Sequence, residues 1–223
     1  MCFAPYVSLS TFVIEFLLAL FFLFQNPKDK LNRILALISF LLGLYQLNEF
    51  LICTTGLNIF TKFAMIVTAV LPALAISYAL IMSRKKLRFY WHILIYSPVL
   101  FFTLMFAMSS YLSKSAVCSL VFIQYPPVGL LGRFFGLYYL IYLSIALVIF
   151  YFVASKKRGK HERRLLHLGM LGVFTFTLST FIFLLFLPSL QIQFSSVLCE
   201  FALLLAIEFV VVLWYKNKYK LKY

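Results

Sequence analysis

Acid is what this sequence has least of: six Asp and Glu stand against twenty Lys and Arg, with three His, and all charged residues together make up 12% of 223 positions. So few charges cannot clothe a water-soluble globule of 25.9 kDa, and the same scarcity excludes a disordered chain or a coiled coil. Four Cys are too few for a small secreted disulfide scaffold. HExxH, GxSxG, the phosphate-binding loop and the Gly-rich dinucleotide turn are all missing, so no catalytic residue is assigned and no enzyme is expected.

What is present is apolar. The apolar set supplies 64% of residues and mean hydropathy is +1.02, against roughly 45–50% apolar in an average soluble domain. The 27 Phe and 14 Tyr suit side chains that face acyl tails and the interface. Apolar runs predict spans at Tyr6–Phe24, Ile34–Cys53, Phe63–Met82, Ile93–Met108, Phe135–Ala154, Leu168–Pro188 and Val197–Trp214. Each approaches the length needed to cross roughly 30 Å of hydrocarbon, the fourth being short. The expected fold class is therefore all-α: one polytopic domain over residues 1–223, a seven-helix transmembrane bundle of the cell membrane.

The basic residues sort by loop. With the N-terminus outside, Lys28, Lys30 and Arg33, then Arg84, Lys85, Lys86 and Arg88, then Lys156, Lys157, Arg158, Lys160, Arg163 and Arg164, and finally Lys216, Lys218, Lys220 and Lys222 fall inside. Only Lys62, Lys114 and Arg133 fall outside. Short cytoplasmic loops retain Lys and Arg, so this alternation predicts seven spans with the C-terminus in the cytoplasm. The net charge of +14 then reads as affinity for anionic inner-leaflet lipid and not for nucleic acid. The first span is no cleavable signal peptide, because its basic residues follow it and Phe24-Gln25-Asn26 offers no small-residue cleavage site. Cys2 has no apolar signal ahead of it, which argues against lipid attachment there.

Four of the six acids lie within spans: Glu15, Glu49, Glu200 and Glu208. A charge at mid-membrane costs roughly 2.5–3.5 kcal/mol on insertion scales, so such groups face the bundle interior, a partner or a wet cavity. Gln46 and Glu49 are spaced i,i+3 on one helix face, flanked by Tyr45 and Asn48, and Glu200 enters the seventh span at a similar depth. Gln46, Glu49 and Glu200 are thus candidates for a small-molecule site in the outer half, with interfacial solvation as the alternative for the two carboxylates. Glu15 and Glu208 lie deeper; they are either neutral and hydrogen-bonded to Ser, Thr or Tyr of neighbouring helices, or proton or cation sites. No basic residue lies within any span to pair with them.

Cys2, Cys53, Cys118 and Cys199 all fall on the outer side of this topology. Four thiols on an oxidising face are disulfide candidates, and a link from Cys118 to Cys53 or Cys199 would pin the long outer loop over the bundle. The alternative is four small apolar residues in packed interiors. No metal site is expected, since CxxC is missing and His92, His161 and His167 fall on the cytoplasmic side. No cofactor is expected either. Haem would want His within spans, and retinal a Lys inside the seventh, whereas the lysines there begin at Lys216.

The outer connection from about Ser109 to Phe134 is long and holds Pro126-Pro127, Gly129 and Gly132. Its apolar stretch Val117–Ile123 is compatible with a short hairpin or a re-entrant piece. Pro72 and Pro98 are expected to kink or loosen the third and fourth helices.

Three segments carry a resemblance: Leu44-Tyr45-Gln46-Leu47-Asn48-Glu49, the basic stretch Lys156 to Arg164, and Leu187-Pro188-Ser189 followed by Ser195-Ser196-Val197-Leu198-Cys199-Glu200-Phe201-Ala202. With them the chain resembles the seven-helix sensor region at the N-terminus of some membrane histidine kinases. The resemblance implies a membrane-embedded sensor whose seventh helix passes movement to a cytoplasmic output. Only nine residues follow Trp214, so no kinase domain is expected within this sequence, and a separate cytoplasmic signalling partner is implied. The expected function is a receptor-like module; the alternatives are a small proton- or cation-coupled transporter and an accessory membrane subunit.

Overall fold

Apolar runs of about 20 residues are too long for strands, and in hydrocarbon a helix is the one open-ended structure that satisfies its own backbone. The chain folds accordingly. In the computed structural model, residues 4–85, 88–109, 117–118, 123–124, 129–157, 159–186 and 194–221 are described, those at 4–5, 117–118, 123–124, 129, 179–186 and 194–201 by their backbone. Among them are the helices α1 (Ala4–Gln25), α2 (Lys30–Thr55), α3 (Ile59–Met82), α4 (Phe89–Met108), α5 (Gly129–Lys156), α6 (Lys160–Phe186) and α7 (Phe194–Lys218). Five helices, α1 to α5, are long and apolar enough to cross a membrane. The protein is a membrane-embedded, all-helical bundle.

The helices begin earlier than hydropathy suggests. α4 starts at Phe89, which gives the short fourth run 20 residues and enough length to span. α5 starts at Gly129 and α6 at Lys160, so Lys160 to Arg164, ahead of the sixth apolar run, are helical. Between α4 and α5, Val117–Cys118 (β1) and Ile123–Gln124 (β2) pair antiparallel, Val117 opposite Gln124 and Cys118 opposite Ile123. Of the two readings of that stretch, the hairpin is the one observed.

α3 is the centre of the bundle. It packs against α2, α4, α5 and α6, and 78% of its most apolar window is buried, against 22% for α1 and for α4 at the edges. Large apolar side chains such as Leu17, Phe24, Leu100, Phe101 and Ile207 face outward, as a lipid-facing surface requires. Inside, Phe102, Phe106, Phe135 and Tyr138 form an aromatic cluster where α4 meets α5, with Phe135 edge-to-face against Phe102 and Phe106.

Two tyrosines of α5 reach backbone near the prolines of the neighbouring helices. Pro98 cannot donate to the Leu94 carbonyl; the Tyr142 hydroxyl lies 3.4 Å from that carbonyl and donates to the next one, of Ile95, at 3.1 Å. One turn earlier on α5, Tyr138 donates to the carbonyl of Ala69 at 2.9 Å, three residues before Pro72. α5 is thus tied by side-chain hydrogen bonds to the backbone of both α3 and α4.

The end of the bundle where α1, α3, α5 and α7 finish and α2 and α6 begin is tied by polar contacts. Asp29 caps α2, accepting from Leu31 N–H at 2.8 Å through one oxygen, and takes the Lys216 ammonium at 2.7 Å on the other. Lys216 also donates to Asn32 Oδ1 at 2.7 Å, and the Asn32 amide donates to the Phe22 carbonyl at 3.1 Å. Lys216 is only 4% exposed and Asn32 1%. One buried cation thus joins the last turn of α7 to the α1–α2 hairpin. Nearby, Glu162 receives Lys157 at 2.9 Å and Arg84 at 3.0 Å. Arg84 holds a left-handed backbone (φ 52°) directly after α3, a position that favours Gly, and its guanidinium crosses to α6. His161 stacks on Tyr219 and shares a hydrogen bond with the Tyr215 hydroxyl.

Two outcomes follow from this end. Lys216→Ala leaves Asp29 and Asn32 buried without their donor and is expected to lower unfolding stability by about 3–5 kcal/mol in detergent; Asp29→Asn with Lys216→Met is expected to recover a large part of it. The hydrogen bond from Lys157, with the Arg84 charge beside it, holds the Glu162 carboxyl below its ordinary value of 4.5. Its stabilisation is thus complete above that value and is lost as pH falls through the lower folded one. The melting-temperature gap between wild type and Glu162→Gln is expected to be present at about pH 7 and to close in strong acid.

Candidate functional site

The buried polar residues of α2 fall on repeating turns, and they divide the interior into two zones. Toward its second end, Tyr45 donates to Glu49 Oε1 at 2.6 Å, an i,i+4 contact on one face. Glu49 is 1% exposed, Gln46 2% and Asn48 5%, and the Asn48 amide donates back to the Leu44 carbonyl at 2.7 Å. Four polar side chains are buried within two turns of α2, and a short O–H···O bond to a carboxylate is among the stronger ones available. Gln46 and Glu49 are thus brought together. Glu200 lies in the first turns of α7, with its side chain outside the described residues, as are those of Cys2, Cys118 and Cys199. Cys53, near the end of α2, is disulfide-bonded.

The second zone lies at mid-depth. Glu15 is fully buried where α1 meets α2, and neither of its carboxyl oxygens has a hydrogen-bond partner among the described residues. It is held there by Gly43, which lets the two helices close: a methyl group at Gly43 would sit 3.3 Å from Glu15 Cβ. Ser39, one turn along α2, is equally buried and its hydroxyl is likewise unpartnered. Among the described residues, no Ser, Thr or Tyr donates a hydrogen bond to Glu15.

Glu208 of α7 uses the same device on another helix. Its carboxyl lies over Gly172 of α6, so close that a methyl there would overlap it, and its Oε1 has no hydrogen-bond partner among the described residues. One turn earlier, Gly169 seats the Tyr78 hydroxyl of α3, which a methyl at Gly169 would approach to 2.7 Å. Beside these glycine seats is a small cavity of about 30 Å³, lined by Tyr78, Tyr139, Phe176, Leu205 and Phe209 among others. That volume holds a water or two and no larger ligand.

The polar contacts absent from the sequence reading are those of Asp29 and Glu162, the two acids outside the apolar runs. Asp followed by Lys and an apolar run is a helix-start pattern, so the Asp29 cap had a local signal; its pairing with Lys216, 187 positions away, had none. Comparison of the chain with protein-family models, with curated proteins and with solved structures finds no match.

The glycine seat under Glu208 has a definite sign. Gly→Ala in an open helix stabilises by about 0.5–1 kcal/mol, whereas Gly172→Ala is expected to destabilise by about 1–3 kcal/mol through overpacking against the carboxyl. Gly172→Ala with Glu208→Ala, measured as a double-mutant cycle by chemical unfolding in detergent, is expected to restore the gain; a stabilising single mutant would show that the carboxyl does not rest there.

Proposed function

We propose that this protein is a seven-span sensor of the cell membrane, N-terminus outside and C-terminus in the cytoplasm, which binds a small molecule in the outer half of the bundle and signals through a separate cytoplasmic protein. The observation that carries the reading is that one helix, α2, holds a buried polar cluster at each end. Tyr45, Gln46 and Glu49 gather at one; at the other, Asn32 and the Asp29 cap grip Lys216 of α7. A ligand that draws on Glu49 or Gln46 shifts α2, and α2 is fastened to the last turn of α7. Such a switch needs a ligand that binds its two states with different affinity. The orientation rests on the sorting of basic residues by loop, and the sixth and seventh spans on the apolar runs within α6 and α7.

A carrier is the second reading. It draws on Glu15 and Glu208: both oxygens of Glu15 and Oε1 of Glu208 are buried without a partner among the described residues, and their depth suits a site that takes up and releases a proton.

Reconstitution in liposomes loaded with a pH-sensitive dye separates the two. The sensor reading predicts proton and cation flux equal to that of empty liposomes for wild type, Glu15→Gln and Glu208→Gln alike; flux that disappears in either variant would replace it with the carrier. Cross-linking in native membranes tests the output: Lys218→Ala with Lys220→Ala, exposed at the end of α7, is expected to lower partner capture severalfold without changing the melting temperature.

A further inference from the structure

The last two turns of α5 and the first two turns of α6 enclose an open groove of about 520 Å³, lined by Tyr151, Ala154 and Ser155 on one side and Lys160, Arg163, Arg164 and His167 on the other. We propose that this groove is a binding site for a phosphate group, with an anionic lipid headgroup as its source. Lys160, Arg163, Arg164 and His167 share one face of α6 through i,i+3 and i,i+4 spacings. All four are exposed, and among the described residues Lys160, Arg163 and Arg164 enter no ion pair. Glu162, the acid of that first turn, is turned to Arg84 and Lys157. The groove therefore presents cations with no carboxylate to oppose them.

This placement does not serve the helix. Cations near a helix N-terminus oppose its dipole, and like charges three and four residues apart repel. An anion in the groove reverses both effects. Two guanidinium forks, an ammonium and the Tyr151 hydroxyl offer the many donors that a tetrahedral phosphate accepts; the Ser155 hydroxyl is already donated to the Phe152 carbonyl. The depth is that of a headgroup: Phe152 and Leu171, adjacent to or one turn from groove residues, face outward with more than half their surface exposed. The site needs the membrane-embedded bundle and is independent of the sensor reading.

Native mass spectrometry of the full chain in detergent tests this directly, with phosphatidic acid, phosphatidylglycerol, phosphatidylcholine and inorganic phosphate as separate additions. One phosphatidic acid or phosphatidylglycerol is expected to be retained per chain over phosphatidylcholine. Arg163→Gln with Arg164→Gln is expected to weaken retention by about tenfold or more, the scale of lost charge-assisted hydrogen bonds, and each single variant by an intermediate amount. Lys28→Gln with Lys30→Gln removes as much charge from exposed positions at the same end of the bundle and is expected to leave retention within about twofold of wild type. Competition by inorganic phosphate would assign the site to a free anion instead of a lipid, on the same residues. Equal loss in both double variants, or equal retention of phosphatidylcholine, would overturn the site.

Discussion

A polar group inside a bilayer has no water to fall back on, so it is held by a partner within the protein or seated in a tight gap between helices. Lys216 is the clearest case. Its ammonium is taken out of solvent and shared between Asp29 and Asn32, and because Asp29 also caps α2, one carboxylate fixes both the start of that helix and the end of α7. The remaining contacts between α7 and the α1–α2 hairpin are few beside those it makes with α6. Without the clasp, the last helix would be joined to the far side of the bundle only by apolar packing, which has little directional preference in lipid.

The same constraint explains two other features. Tyr138 and Tyr142 of α5 place their hydroxyls on backbone carbonyls of α3 and α4 near Pro72 and Pro98. Glycines at 43, 169 and 172 admit Glu15, the Tyr78 hydroxyl and Glu208 between helices. Polarity in this interior is thus arranged in pairs of small and large residues at matched depth. Those pairs set which helices approach closely, and α3, with a tyrosine and a proline among small residues, becomes the hub.

Much of the helical plan was legible, because apolar runs with basic punctuation have few solutions in a membrane. Boundaries were less so: hydropathy ends where charge begins, while a helix does not, and Lys160 to Arg164 are helical although they read as a loop. The Gln46–Glu49 face followed from i,i+3 spacing. Lys216, in contrast, read as one more cation of an inner loop, since nothing local to it signals a carboxylate on a distant hairpin. The bond from Tyr142 to the α4 backbone was hidden for the same reason: Tyr142 and Ile95 are 47 positions apart. The groove between α5 and α6 was present in the sequence as charge and became specific only when helical phase put Lys160, Arg163, Arg164 and His167 on one side.

A sensor with its ligand site outside and its output in the cytoplasm requires an odd number of bilayer crossings, with the two termini on opposite faces. Epitope tags fused at each end of the sequence, followed by protease treatment of intact cells, measure this most directly. Loss of the N-terminal tag with retention of the C-terminal one is the predicted result. Loss or retention of both together would contradict it.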